Sequence, residues 1–244
     1  MKKEKPIIYA LRFFLCAVLT VLVIMAVSVA LEAIMTKKPE ESAPTSLDTS
    51  NVLVVIDPGH GGEDPGSVAP DGTLEKDLNL EISNLVRALC ILNGWDVKMT
   101  RTEDTLLYDY YNDLEDYTGK KKVYDLKNRL KIAEEYENAL YLGIHMNKFS
   151  QSKYKGTQIY YSKNNVGSYS VATNLSKNIK KYLQPSNNRA IKAADSSIYI
   201  LNNIKNPAIL VECGFLSNED ELSLLKAEEY RAKMALVIFS SLYN

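Results

Sequence analysis

The chain has 244 residues, of which 46% are hydrophobic and 24% charged, with a net charge of -1. That balance suits a globular domain and excludes a nucleic-acid binder built on a basic surface. Three cysteines without a CxxC spacing exclude a disulfide framework. Cys90 and Cys213 sit in apolar contexts and are expected as buried thiols, a single bridge between them being the unsupported alternative.

The two ends of the chain differ. Residues 1–12 form a basic tail with Lys2, Lys3, Lys5 and Arg12. The run FFLCAVLTVLVIMAVSVAL, Phe13 to Leu31, then carries no charge over nineteen residues. A bilayer core needs about 20 apolar residues, and preceding positive charge stays in the cytoplasm. Residues 13–35 are therefore read as a transmembrane signal anchor that puts the rest of the chain outside the cytoplasmic membrane. Ser28-Val29-Ala30 offers a weak cleavage site, so a secreted form is the alternative, and a buried core helix is disfavoured because the run has no polar face. Residues 36–50 (TKKPEESAPTSLDTS from Thr36) are polar and Pro-rich and read as a flexible linker. One domain is expected over 51–244.

Within it, Val52 to Ile56 is a β-branched apolar run, as expected of a strand covered on both faces. Leu78, Ile82, Leu85, Val86, Leu89 and Leu92 recur at helical spacing, and Asn93-Gly94 ends that helix. Strands are expected at Trp95–Thr100, Leu140–His145, Thr157–Tyr161, Ile198–Leu201 and Ala208–Glu212. Helices are expected at Val123–Glu137, Ser168–Leu183 and around Tyr230 to Ser241. The alternation predicts an α/β fold: a mostly parallel, twisted sheet with helices on both faces. Tyr108 to Lys122 (YDYYNDLEDYTGKKK) breaks the pattern and reads as a surface loop or a rim that touches substrate or a partner.

The chemistry gathers at strand ends, where ligands collect in open α/β sheets. One of the two histidines, His60, lies just past the first strand in LVVIDPGHGGEDPG. The other, His145, closes LYLGIH, and Glu212 closes AILVE. A catalytic zinc takes three protein ligands and keeps one position open. Two come from the histidines. Glu75, at the opening of the first helix, is the best placed third, with Asp57, Glu63, Asp64 and Asp77 as rivals.

These residues resemble a known family. DPGHGG, LEKDLNL, IHMNKF and PAILVECGFLSN are similar, in that order, to the motifs of the zinc-dependent N-acetylmuramoyl-L-alanine amidases, bacterial cell-wall hydrolases. Thr100-Arg101 with Asp104, LKNRLKIA (Leu126 to Ala133), KGTQIYY (Lys155 to Tyr161), Asn188-Arg189 and Tyr199 to Leu201 also have counterparts, so the resemblance spans residues 52–242. It implies one Zn2+ per chain on His60, Glu75 and His145, with Glu212 as the catalytic glutamate. The reaction implied is hydrolysis of the amide between the muramic acid lactyl group and L-alanine in peptidoglycan. Glu212 as a fourth ligand, or as an ion-pair partner at the sheet, is the alternative. Asp57 and Asn147 are candidate supports of the ligands, and Arg189 a candidate substrate contact. Met146 stands where the family more often has a small residue. Cys213 follows Glu212 and should point to the other side of the strand, away from any metal. The lean, anchored layout is similar to sporulation-type amidases that prepare muramic lactam in the spore cortex. A zinc peptidase or deacetylase acting on the wall, or a non-catalytic envelope binding or regulatory protein, is the alternative function. Without appended wall-binding repeats, an activating protein partner is a further expectation, alongside the peptidoglycan substrate and the membrane.

Overall fold

The computed structural model describes residues 52–112 and 117–242. The basic tail, the apolar run and the linker lie outside the described residues. Among those described, no helix is long and apolar enough to cross a membrane.

The elements run in chain order β1 (Val52–Pro58), α1 (Glu75–Leu92), β2 (Asp96–Met99), α2 (Lys121–Glu134), β3 (Leu140–Asn147), β4 (Gln158–Tyr161), α3 (Gly167–Asn178), β5 (Lys192–Ala193), α4 (Tyr199–Asn203), β6 (Ala208–Phe215), α5 (Glu219–Lys226) and α6 (Glu228–Ser241). The strands make one six-stranded sheet in the order β2-β1-β3-β6-β4-β5. Strands β2, β1, β3 and β6 run parallel, and β4 lies antiparallel to β6. The sheet is thus mixed, with a parallel centre that carries the apolar runs expected of strands buried on both faces.

Side-chain alternation along the strands divides the core into two layers. Val54 and Ile56, Leu142 and Ile144, Ile209 and Val211 pack with α1, α3 and α6. Val55, Tyr141 and Leu210 face α2 and α4. Cys90 and Cys213 are both unbridged and buried in the first layer.

Three elements depart from expectation, one of them the two-residue strand β5, which no strand was expected to supply. Ile198 to Leu201 does not form a strand: it opens the short helix α4. Four apolar residues carry no period of their own, and here Asp195 starts a turn. Its carboxylate accepts from the Ser197 amide and hydroxyl, and its carbonyl accepts from the Ile198 amide. The third is α5, whose N-cap is Asn218, with its side chain accepting from the Glu221 amide. The helix expected over Ser168–Leu183 is α-helical to Asn178 and closes in a π-helical turn, Ile179–Leu183.

Candidate active site

Three parallel neighbours, β1, β3 and β6, end at one edge of the sheet. Asp57 pairs with Gly143, and His145 pairs with Glu212. By alternation Asp57, His145 and Glu212 share the face that carries Val55, Tyr141 and Leu210, so the strand ends deliver these groups to one side.

Beyond β1 the chain turns sharply. His60 has a left-handed φ of 62°, a conformation a non-glycine residue holds only under constraint. The constraint comes from two buried arginines. Arg101 donates to the carbonyls of Pro58 and Gly59, at 2.9 and 3.0 Å, and to that of Lys76. Arg129, on α2, donates to the carbonyls of Pro58 and His60, at 2.8 and 2.7 Å. Arg129 also pairs with Asp57 at 2.6 Å and Asp125 at 2.8 Å. Asp104 accepts from the Gly62 amide and from Lys76, closing the frame.

The loop then doubles back through paired Gly61 and Asp64 amides and carbonyls, which brings the Asp64 carboxylate to His60 Nδ1 at 2.8 Å. Nε2 of His60 is left pointing at Glu75 Oε1, 3.2 Å away. Nδ1 of His145 meets the same oxygen at 3.1 Å. The two rings stand edge to face with centroids 5.1 Å apart.

Glu75 is fixed as the first residue of α1, where a carboxylate suits the positive end of the helix dipole. Its Oε2 accepts from the Ser67 amide at 2.7 Å and its Oε1 from the Met146 amide at 3.1 Å. Burial acts against its ionisation, but the bonds and charges of His145 and His60 win and hold its pKa far below the usual range. For His60, burial favours the neutral ring, yet Glu75 and then Asp64 raise its pKa.

One donor atom from each of His60, Glu75 and His145 lies within 4.8 Å of the others, close enough for a single metal ion. Two imidazoles and a carboxylate are a donor set suited to zinc. Glu212 lines the same pocket, of about 330 Å³, with Asp64, Lys122, Asn147 and Lys148 among its walls. Oε2 of Glu212 is buried without a hydrogen-bond partner. Burial first, and the negative charge of Glu75 after it, push its pKa up to about 7 against the opposing pull of the two histidines. A carboxylate held at that value beside a candidate metal has the properties of a general base.

Asp57 does not hold an imidazole. It is buried under the loop, bonded to Arg129, to the Thr100 hydroxyl at 2.5 Å and to the Tyr141 hydroxyl at 2.5 Å, and the ring of His60 is oriented by Asp64 instead. Of the rival ligands, Glu63 pairs with Lys121 and Asp77 is exposed on α1. Asn147 lines the pocket, and its carbonyl ties β3 to Leu216. Arg189 donates to the Lys155 carbonyl and stacks over Phe215, and does not line the pocket. Cys213 faces away from His60, Glu75 and His145, in the core layer that packs with α1, α3 and α6. Asn79, which donates to Glu75 and to the Gly59 carbonyl, is a support the sequence does not advertise.

The profile of the family described as N-acetylmuramoyl-L-alanine amidase matches residues 54–244. The chain belongs to that family. Among curated amidases it is 34% identical to the germination-specific N-acetylmuramoyl-L-alanine amidase of Bacillus subtilis, over 82% of this chain and 81% of that one. Among solved amidase structures it is similar to the CwlD amidase of Clostridioides difficile in complex with the GerS lipoprotein, at 39% identity and a TM-score of 0.71, covering 78% of this chain and 96% of that one. It is also similar to the amidase AmiC2 of Nostoc punctiforme, at 29% identity and a TM-score of 0.65, covering 79% and 96%. The sheet and its strand-end site therefore sit in a fold shared by enzymes of one named activity.

Proposed function

We propose that this protein is a peptidoglycan hydrolase that cleaves the amide between the lactyl group of N-acetylmuramic acid and the L-alanine of the stem peptide. One observation carries the reading: His60, Glu75 and His145 converge on one point, with the buried carboxylate of Glu212 in the same pocket. His60, Glu75 and His145 would hold one Zn2+. Zinc bound there would polarise the scissile carbonyl and make water more acidic. Glu212 takes a proton from the attacking water and returns it to the leaving amine of L-alanine. Asp64 keeps His60 in the tautomer and orientation a ligand needs.

The similarity to a germination-specific amidase supports a role in remodelling the spore wall. The apolar run Phe13 to Leu31 supports a domain, residues 51–244, tethered outside the cytoplasmic membrane by residues 13–35. Because a similar amidase is found with a lipoprotein partner, we include an activating protein partner in the proposal.

The test is metal content and wall hydrolysis of the purified full-length protein, with His60→Ala and Glu212→Gln beside it. One zinc per wild-type chain, lost in the first variant and kept in the second, with stem peptide release lost in both, is the expected result. Release of acetate in place of peptide would overturn the reading.

A further inference from the structure

We infer that Lys122 is a specificity residue that receives a carboxylate carried by the stem peptide two residues beyond the scissile bond. The inference rests on the amidase reading above.

It starts from the run Lys120-Lys121-Lys122. Lys120 is the N-cap of α2, and Lys121 and Lys122 open its first turn, which has no acidic residue and no side-chain cap. Cations at the positive end of a helix dipole weaken the helix. Residues that break a local rule in this way are expected where function requires them. Lys121 has a local partner, since it pairs with Glu63 at 2.9 Å and lies over the Tyr108 ring. Lys122 reaches into the wall of the reaction pocket. Its ammonium lies 3.2 Å from Asp64 Oδ2, the same oxygen that holds His60 Nδ1, while its side chain stays 65% exposed. Lys148, the other cation of the pocket, donates to the Val68 carbonyl.

The remaining charged side chains lining the pocket, besides the histidines, are the carboxylates of Asp64, Glu75 and Glu212. They repel an anionic stem peptide unless a cation receives its charge. A lysine on a flexible four-carbon stem can move between Asp64 and such an anion. Two residues of extended chain span about 7 Å. Contacts of 3.2 Å from Lys122 Nζ to Asp64 Oδ2 and of 2.8 Å from that oxygen to His60 Nδ1 put the ammonium within a comparable distance of the candidate metal ligands. A carboxylate on the second stem residue is thereby within its reach when L-alanine leaves beside Glu212.

The experiment compares matched disaccharide-peptides whose second stem residue carries its carboxylate either as the acid or as the amide. The enzymes are zinc-loaded full-length wild type, Lys122→Met and Lys121→Met. Wild type is expected to favour the acid in kcat/KM by roughly twofold to fivefold, mainly through KM, as one partly exposed charge pair provides. The ratio should fall to near one in Lys122→Met and persist in Lys121→Met. A wild-type ratio of one overturns the proposal. So does a Lys122→Met enzyme that is slower on both substrates with the ratio unchanged, since that marks a purely structural lysine. Hydrolysis of neither substrate by wild type, alone or with a host envelope extract that supplies a protein partner, overturns the amidase reading itself.

Discussion

His145 and Glu212 are paired residue for residue across the neighbouring parallel strands β3 and β6. Parallel register puts both side chains on the same face of the sheet, so a candidate metal ligand and a candidate base arrive together without any loop between them. Elements of the rigid core position such groups more accurately than loops do. Replacing Glu212 by Gln keeps the shape and removes the proton acceptor. Turnover is expected to fall by roughly 10²- to 10⁴-fold with zinc content unchanged, checked by atomic absorption alongside peptide release.

The same carboxylate sets a pH dependence. With its pKa raised to about 7 by burial and by Glu75, Glu212 is a competent base only when ionised. Activity should therefore drop as pH falls, and a bound cation lowers the pKa, so the midpoint of the acid limb is expected at or below about 7. A kcat/KM profile from pH 5 to 9 tests this; a limb that survives in the residual activity of Glu212→Gln would assign it to another group.

Asp64 is the support for His60. Its bond at 2.8 Å fixes which imidazole nitrogen faces Glu75. Loss of such a partner typically weakens metal binding by about 10- to 100-fold. Asp64→Ala should show that weakening in a chelator competition, with little change in thermal melting because the loop stays gripped by Arg101 and Arg129.

The core strands, and the gathering of His60, His145 and Glu212 at their ends, were legible because each rests on a local signal, an apolar run followed by a ligand-type residue. Glu75 stood out from rival acids only by its place at a helix start and by the family resemblance. The supports were not. Arg129 sits among Leu126, Leu130 and Ile132 on a helix, where sequence alone does not distinguish a buried guanidinium from a solvated one. Its partners lie 72 and 69 residues away at Asp57 and His60. Asp64 was visible only as one acid among several, since the doubling-back at Gly61 that selects it is a loop geometry. The antiparallel β4 followed no signal either, as strand direction is decided by connection and not by composition. Helix α5, by contrast, had a readable start in Asn218 and Glu221, an N-cap residue followed by Glu three positions on.

Gly59 makes the close approach of β1 to His145 feasible. A methyl group there would lie 2.1 to 2.6 Å from three atoms of the His145 ring. The backbone of Gly59 is not left-handed, so the penalty in Gly59→Ala comes from this collision. The expected outcome is a displaced ring: zinc affinity and activity fall by more than tenfold, in keeping with a misplaced ligand, while a folded far-UV spectrum is kept. A variant that binds zinc normally would show that the loop yields in place of the ring.

The last prediction concerns Asp57 and the frame under the loop. Burial opposes its charge, but Arg129, followed by the hydroxyls of Thr100 and Tyr141, holds its pKa below the ordinary value of 3.8. A carboxyl depressed in the folded state stabilises the fold above its unfolded pKa, and that contribution is lost as pH falls through the folded value. Asp57→Asn removes the charge and leaves Arg129 with Asp125 alone. Breaking a buried pair in this way costs about 3 kcal/mol or more. Urea unfolding of wild type and variant should therefore differ by that amount at pH 7. The gap should begin to narrow below about pH 4, where the unfolded carboxyl protonates, and close as pH falls through the lower folded value, where the wild-type carboxyl is protonated as well. A gap that stays constant down to pH 2 would mean the loss in Asp57→Asn comes from packing or altered hydrogen bonds and not from the charge that Arg129 faces.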